Sequence, residues 1–519
     1  MIAYGVANAV LYCSLVPLWE GFDEAFHYGY VQILADQRRL PVLARDTISA
    51  EIWESLKLAP MSHVVQRAYP ELTTFAEFFQ LPAASQAERR ERLDRLSPAL
   101  RAIYSGTPTN YELQQAPLAY AVLALPDGLW RDAPLPARVW RLRLVGAILS
   151  CLLLSAGALY LSRSIGLNRS GEAVLLFLTF SSQMLYATTC HVANEWLAVP
   201  LAAGVLGSAV RFHRTPGLKN ACGLAVLLSL GLLTKAYFLA FVPGALALLL
   251  WHAWREPRAG LQSALAFLLI PAIAGPWYVR NLVRYGNVSG MVEPFGSVSP
   301  RVVLPEALHV PWLRTIAYMA RGSLWTGNNT FSTFSRATLD VMLLLVCAGL
   351  LALVFTARAK NREVGVGVLL GGILCCIAAL AYVTLEQHLF LQAAGGGVWY
   401  TQPLLVPVMC LVLAGLGRIG AGGRWLRAAM LITWTYVMCA TWWAKLIPLY
   451  GGYAGDRATA ARLLTWYRDS AFAGRSALSH VALLPAGAIY ALAAAVTLGA
   501  AALCGLLLRP ARRDVQSGL

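Results

Sequence analysis

Long apolar runs separated by short polar connections dominate this chain. After a first run over 1–18, they recur at 142–161, 173–189, 196–210, 221–233, 236–251, 261–277, 339–356, 364–382, 398–416, 425–446 and 481–508. Runs of this length predict membrane-spanning helices, about twelve in all, and hence an all-α polytopic integral membrane protein. The first run is barely long enough. The two runs flanking Lys235 are short for a complete crossing, and merging them would shift the parity of every later span.

The polar mass between the runs is uneven. It collects in a large first loop, 19–141, a second, 280–338, and a third, 447–480. The first loop carries Glu88-Arg89-Arg90-Glu91-Arg92-Leu93-Asp94-Arg95, whose alternating signs suit a solvated helix. It also carries the stretch 115–126, too short and too proline-bounded to span, which suits a helix lying in the membrane interface. The chain then divides into 1–338, a catalytic-type transmembrane module with extracytoplasmic loops 19–141 and 280–338, and 339–519, C-terminal transmembrane helices with short loops and a cytoplasmic basic tail. No internal repeat is visible.

Charge decides the sidedness. Basic residues fall in alternate loops: Arg163/Arg169, Arg211/Arg214/Lys219, Arg255/Arg258, Arg358/Lys360/Arg362, Arg418/Arg424/Arg427 and Arg509/Arg512/Arg513. The intervening short loops, 191–195 and 385–397, contain no Lys or Arg. The positive-inside bias therefore places both termini in the cytoplasm, and it holds only if Lys235 separates two spans. The formal charge of +16 belongs to these loops, not to a phosphate-tracking groove, so no nucleic acid partner is expected. Charged residues make up 13% of the chain, about half the share of a soluble domain. The ten cysteines lie in or beside apolar runs and read as small core residues with no disulfide framework. The first run lacks a basic leader and a small-x-small cleavage site, so it reads as a retained span.

Candidate chemistry gathers at the external ends of the runs. Asp23 and Glu24 follow the first, and a helix there would put Asp23 and His27 on one face at i, i+4; a solvated interfacial turn is the plainer alternative. Tyr111-Glu112, Asn194-Glu195, Lys235 and Tyr278-Val279-Arg280-Asn281 share that side. An intramembrane lysine reads as functional unless it snorkels to the interface. Arg280 has the planar fork to grip phosphate oxygens, or it anchors the interface beside Trp277 and Tyr278.

Five segments in this order resemble the polyprenyl-phosphate-sugar-dependent glycosyltransferases of the C-type (GT-C) superfamily, which includes protein O-mannosyltransferases and aminoarabinose transferases. They are Phe22-Asp23-Glu24-Ala25-Phe26-His27, Gln115-Ala116-Pro117-Leu118-Ala119-Tyr120, Leu233-Thr234-Lys235-Ala236-Tyr237, Trp277-Tyr278-Val279-Arg280-Asn281 and Val398-Trp399-Tyr400-Thr401-Gln402-Pro403. The family usually has two prolines where this chain has Ala116-Pro117, and many members have Arg-Tyr in place of Trp399-Tyr400. The large C-terminal extracytoplasmic domain of several branches is not seen here.

The resemblance implies sugar transfer from a polyprenyl-phosphate donor to an unidentified glycan, lipid or protein acceptor at the extracytoplasmic face of a bacterial inner membrane. It makes Asp23 the general base of an inverting displacement, with Glu24 orienting Asp23 or the acceptor. Lys235, Arg280, Tyr278 and Asn281 become donor-phosphate contacts. His27, Glu112, Gln115, Trp399 and Tyr400 become acceptor or supporting residues. No cofactor is certain; His27 with Glu112 is a candidate pair for a divalent metal, at a spacing that is not diagnostic. The rival readings are a secondary transporter and a noncatalytic lipid-linked-glycan binding protein on the same scaffold. Two Asn-x-Ser/Thr sequons, at Asn287 and Asn328, read as chance occurrences.

Overall fold

The computed structural model describes residues 1–290, 300–356, 364–391, 397–453, 460–471 and 477–509. Among them there is no strand, only two isolated bridges, Thr47 with Thr109 and Met61 with Thr74. The protein is an all-helical polytopic membrane protein, with a helix on every apolar run. The Arg358/Lys360/Arg362 loop and Arg512/Arg513 lie outside the described residues.

Among the described residues, seven helices are long and apolar enough to cross a membrane, or up to eight if one bent pair counts as a span. The remaining runs expected to span are shorter or broken, each for a local reason. Helix Ile2–Leu15 stops early because Val16 precedes Pro17 and is forced to extended backbone. The bent pair, Pro257–Ile273 and Gly275–Tyr285, turns by 46° where Pro276 removes a backbone donor. Helix Leu218–Leu232 ends ahead of Lys235, whose φ of −156° and ψ of 138° separate it from the 3₁₀ turn Ala236–Ala240. The two runs flanking Lys235 are thus distinct elements.

Helix Glu195–Arg214 is the central post, with 83% of its most apolar window buried. It packs on Leu135–Ser164, Leu218–Leu232 and Val364–Leu391. At Gly157 a Cβ would sit 3.2 Å from the Pro200 carbonyl oxygen, so glycine there eases a close backbone approach. Val364–Leu391 is the opposite case: only 11% of its window is buried, leaving it largely to the bilayer.

The first loop folds into short helices, among them Glu24–Gln37, Ala50–Leu58, Ala83–Asp94 and Leu118–Leu129. Two buried ion-pair systems hold them: Arg138 with Glu51, and Arg101 with Asp36 and Asp127. The three large loops meet around Glu20. Its carboxylate accepts from the Thr330 amide (2.8 Å) and lies 3.4 Å from the Tyr450 hydroxyl. Asn328 donates to Tyr450 and accepts from Tyr12, and Asn329 donates to the Gly21 carbonyl. The second sequon is a buried clasp between loops.

Candidate active site

The loop after the first helix is held in a conformation that side chains resist. Trp19 and Asp23 have φ of 66° and 54°, in the left-handed region, which costs a non-glycine residue about 1–3 kcal/mol. The surroundings impose it. Gly21 lies against His191, where a Cβ would come within 2.4 Å of the imidazole's own Cβ. Phe22 stacks on Trp399 at 4.2 Å. Glu24 pairs with Arg143 and accepts from the Val192 amide at 3.0 Å.

Asp23 and His27 both reach the turn that carries Tyr111 and Glu112, although Asp23 lies just outside the helix. Helix Glu24–Gln37 begins one residue after Asp23, which caps it from left-handed backbone that aspartate tolerates better than most residues. The two side chains consequently find different partners. Asp23 Oδ1 accepts from the Tyr111 hydroxyl at 2.6 Å. His27 Nδ1 lies 2.8 Å from the Tyr120 hydroxyl and 3.6 Å from Glu112.

Glu24 is anchored beneath the same loop. It is fully buried, and both oxygens face Arg143, which in turn donates to the Val16 and Pro17 carbonyls at 2.6 and 2.9 Å. Burial alone would raise the Glu24 carboxyl, but Arg143 more than reverses this and holds it below its ordinary value. A carboxylate so fully engaged is a clamp on the loop. Arg143, one residue inside the run 142–161, was readable as a cation within an apolar segment, yet nothing local named its partner.

Behind Asp23 lies a group of buried ionisable side chains. Lys235 Nζ donates to Asn194 Oδ1 at 3.0 Å and pairs with Glu195, and it sits 5.1 Å from the Tyr400 ring centroid. Gln115 ties the group together, donating to Glu112 at 3.0 Å and accepting from Asn194 at 3.1 Å. Of these carboxylates only Asp23 keeps an edge open to solvent. Burial raises its pKa above the ordinary value; the Tyr111 hydrogen bond opposes that, and the charge of Glu195 adds to it. Glu112 is pushed up to about 8 by burial and by the charge of Asp23. Burial drives His27 down to about 3 and lowers His191, so both rings are neutral at neutral pH. His191 was passed over in the sequence as a loop residue; its two ring nitrogens are buried without a protein hydrogen-bond partner.

Lys235, Gln115 and Tyr400 form the polar head of a largely apolar cavity of about 510 Å³, walled by Ala236–Ala240 and the second half of Val364–Leu391, which also brings Glu386 and Gln387 to its lining. The other expected phosphate contacts diverge from this head. Tyr278 donates to the Leu232 carbonyl at 3.0 Å. Asn281 accepts from Arg280 and donates to the Val288 carbonyl, which engages its amide in the adjoining turn. Arg280 donates to the Pro41 carbonyl at 2.7 Å and lies over the Trp277 ring. Among the described residues no carboxylate pairs with Arg280. Nor, among them, do three or more His, Cys, Asp or Glu side chains converge as a metal site, so His27 and Glu112 stand as a pair.

No protein-family model and no curated protein matches the chain. Among the solved structures similar to it are two of one protein. One is the crystal structure of ArnT from Cupriavidus metallidurans bound to undecaprenyl phosphate, at 16% identity and a TM-score of 0.46, covering 97% of this chain and 75% of that one. The other is ArnT from the same organism in the apo state, at 14% identity and a TM-score of 0.41, covering 88% and 74%.

Proposed function

We propose that this protein is a glycosyltransferase that moves a sugar from a polyprenyl-phosphate donor to an acceptor hydroxyl at the extracytoplasmic membrane face. The observation that carries the reading is the placement of Asp23. It is a partly open carboxylate of raised basicity, steadied by Tyr111, grouped electrostatically with the Lys235 ammonium that heads an apolar cavity. A base, a phosphate-sized cation and a hydrocarbon cavity are the three things a lipid-phosphate sugar donor requires of its enzyme.

In this reading the cavity takes the isoprenoid stem nearest the phosphate. Asp23 accepts the acceptor's hydroxyl proton as that oxygen bonds to the anomeric carbon. The carbon–oxygen bond to phosphate breaks on the opposite face, its electron pair leaves with the lipid phosphate, and the sugar inverts. Lys235 stabilises the departing charge, and Arg280, which lies outside the cavity lining, joins it on leaving the Pro41 carbonyl. Glu24 and Arg143 hold Asp23 in place without touching substrate. Phe22, Trp399 and Tyr400 border the acceptor side.

The test is sugar transfer by purified Asp23→Asn alongside binding of undecaprenyl phosphate to the same preparation. Loss of a general base lowers turnover by roughly 10²–10⁴-fold, with lipid binding retained. In the wild type, the rate declines with acidity through an apparent pKa above the ordinary aspartate value. Full transfer by Asp23→Asn would overturn the assignment and pass the role to Glu112 or Glu195. A transporter or a binding protein has no transfer to lose.

A further inference from the structure

We infer that the enzyme reads the length of its donor's isoprenoid tail along a trough that crosses the whole membrane; this rests on the donor reading above. A second, largely apolar cavity of about 790 Å³ is bounded by the first half of Val364–Leu391, by helix Phe241–Arg255, which continues the turn Ala236–Ala240, and by Val205, Leu206, Ala209 and His213 of Glu195–Arg214. One stripe of helix Val364–Leu391 lines both. Gly367, Gly371 and Cys375 face the second cavity, and Ala379, Val383 and Phe390 the first. The facing wall repeats the pattern at four-residue spacing: Ala236 and Ala240 in the first cavity, then Gly244 and Leu248 in the second. Along the α-helix Val364–Leu391 residues at this spacing share a face, and that one face lines both cavities, so they are successive stretches of one seam. The walls pinch where they meet, since a Cβ on Gly244 would lie 3.5 Å from Cys375 Sγ.

Length identifies the occupant. From Gly367 to Phe390 the seam runs roughly 35 Å at about 1.5 Å per helical residue. The hydrocarbon core is about 30 Å thick, so a phospholipid acyl chain, confined to one leaflet, reaches only half the seam. A single long polyprenyl chain whose phosphate sits at Lys235 fills it. The glycines keep the distal half open. At both Gly367 and Gly371 an added Cβ meets nothing within 4 Å, so a larger side chain there projects into free space without a clash at its root. Both wall helices are mostly exposed, with 11% and 22% of their apolar windows buried, so a tail enters sideways from the bilayer.

The experiment measures binding of undecaprenyl phosphate and farnesyl phosphate to the purified full-length chain in nanodiscs, in wild type, Gly371→Leu and Gly367→Leu. The tail moves from bilayer lipid into the seam, so each added isoprene unit gains packing contact with the walls and wild type prefers the long lipid by about tenfold. Either leucine lowers the long-over-short ratio toward one. Equal binding of both lipids by wild type overturns the inference, as does an unchanged ratio in both folded variants, or displacement of the long lipid by phosphatidylglycerol at comparable concentration. Failure of folded wild type to bind either phosphate lipid overturns the donor reading itself, which keeps the two failures apart.

Discussion

The buried pair between Glu24 and Arg143 makes the most quantitative prediction. Glu24 accepts from Arg143 Nε at 2.6 Å and from the Val192 amide at 3.0 Å, and its second oxygen accepts from Arg143 Nη2. Glu24→Gln removes the charge and one of the two acceptors facing the guanidinium. Breaking a buried pair from one side costs about 3–5 kcal/mol, because the remaining charge is left uncompensated. Arg143 keeps its contacts to Val16 and Pro17, which places Glu24→Gln near 3 kcal/mol, at the lower end of that roughly 3–5 kcal/mol range. Arg143→Met leaves a carboxylate with only the Val192 amide and falls near the upper end.

The double variant Glu24→Gln/Arg143→Met buries no charge, so it is more stable than the sum of the singles by a coupling of about 2–3 kcal/mol, at the strong end for residues in contact. The assay is denaturant unfolding of the purified variants in detergent. Because Arg143 holds Glu24 below its ordinary pKa, the pair's contribution is complete above the ordinary carboxylate range. It is lost as pH falls through the depressed value, so the wild type's advantage over Glu24→Gln shrinks in acid. Additive single losses, or singles within about 1 kcal/mol of wild type, refute the clamp.

Three further outcomes follow from other features. Arg280→Ala weakens binding of undecaprenyl phosphate, measured as a dissociation constant, by about 1.5–3 kcal/mol and leaves binding of undecaprenol unchanged; an equal effect on both makes Arg280 an interfacial anchor. Burial raises Glu20 to about 8, so its contribution is full below its ordinary pKa and disappears as pH rises through about 8. In pH-resolved thermal unfolding, Glu20→Gln therefore gains on wild type as the medium turns alkaline, and parallel curves would contradict the buried clasp. In a cysteine-free background, Ala84→Cys reacts with a membrane-impermeant maleimide from outside and Arg258→Cys only after permeabilisation; labelling of both from one side breaks the assigned topology.

The elements were far more legible in the sequence than their partnerships. Hydrophobic length alone located a helix on every apolar run, and the break at Lys235 was visible because a lysine amid leucines has no local partner. The exact number of complete crossings was less visible, since single prolines such as Pro17 and Pro276 shorten or bend helices without altering mean hydropathy. In the site, Asp23, Lys235 and Glu195 stood out as polar groups at the ends of apolar runs. Their roles depended on pairings across tens to hundreds of residues, as in Glu24 with Arg143 or Glu20 with Tyr450, and periodicity carries no information at that range. The Asp23/His27 spacing was less informative about backbone: an i, i+4 argument presumes the helix has already begun, whereas Asp23 is its left-handed cap.

The pairing of Lys235 with Glu195 has a consequence for the order in which ligands arrive. Any anionic headgroup that reaches this lysine finds the position already held by an anion of the protein's own, seated on the same ammonium. Glu195 is thus a resident competitor. Free phosphate and other small anions, which bring no hydrocarbon to the neighbouring cavity, must displace it on charge alone and are disfavoured. A ligand that couples a phosphate to a long apolar chain gains elsewhere what the exchange costs at the lysine. Once displaced, Glu195 is a buried carboxylate without its cation, and it drives the site toward taking up a proton at the moment such a ligand settles.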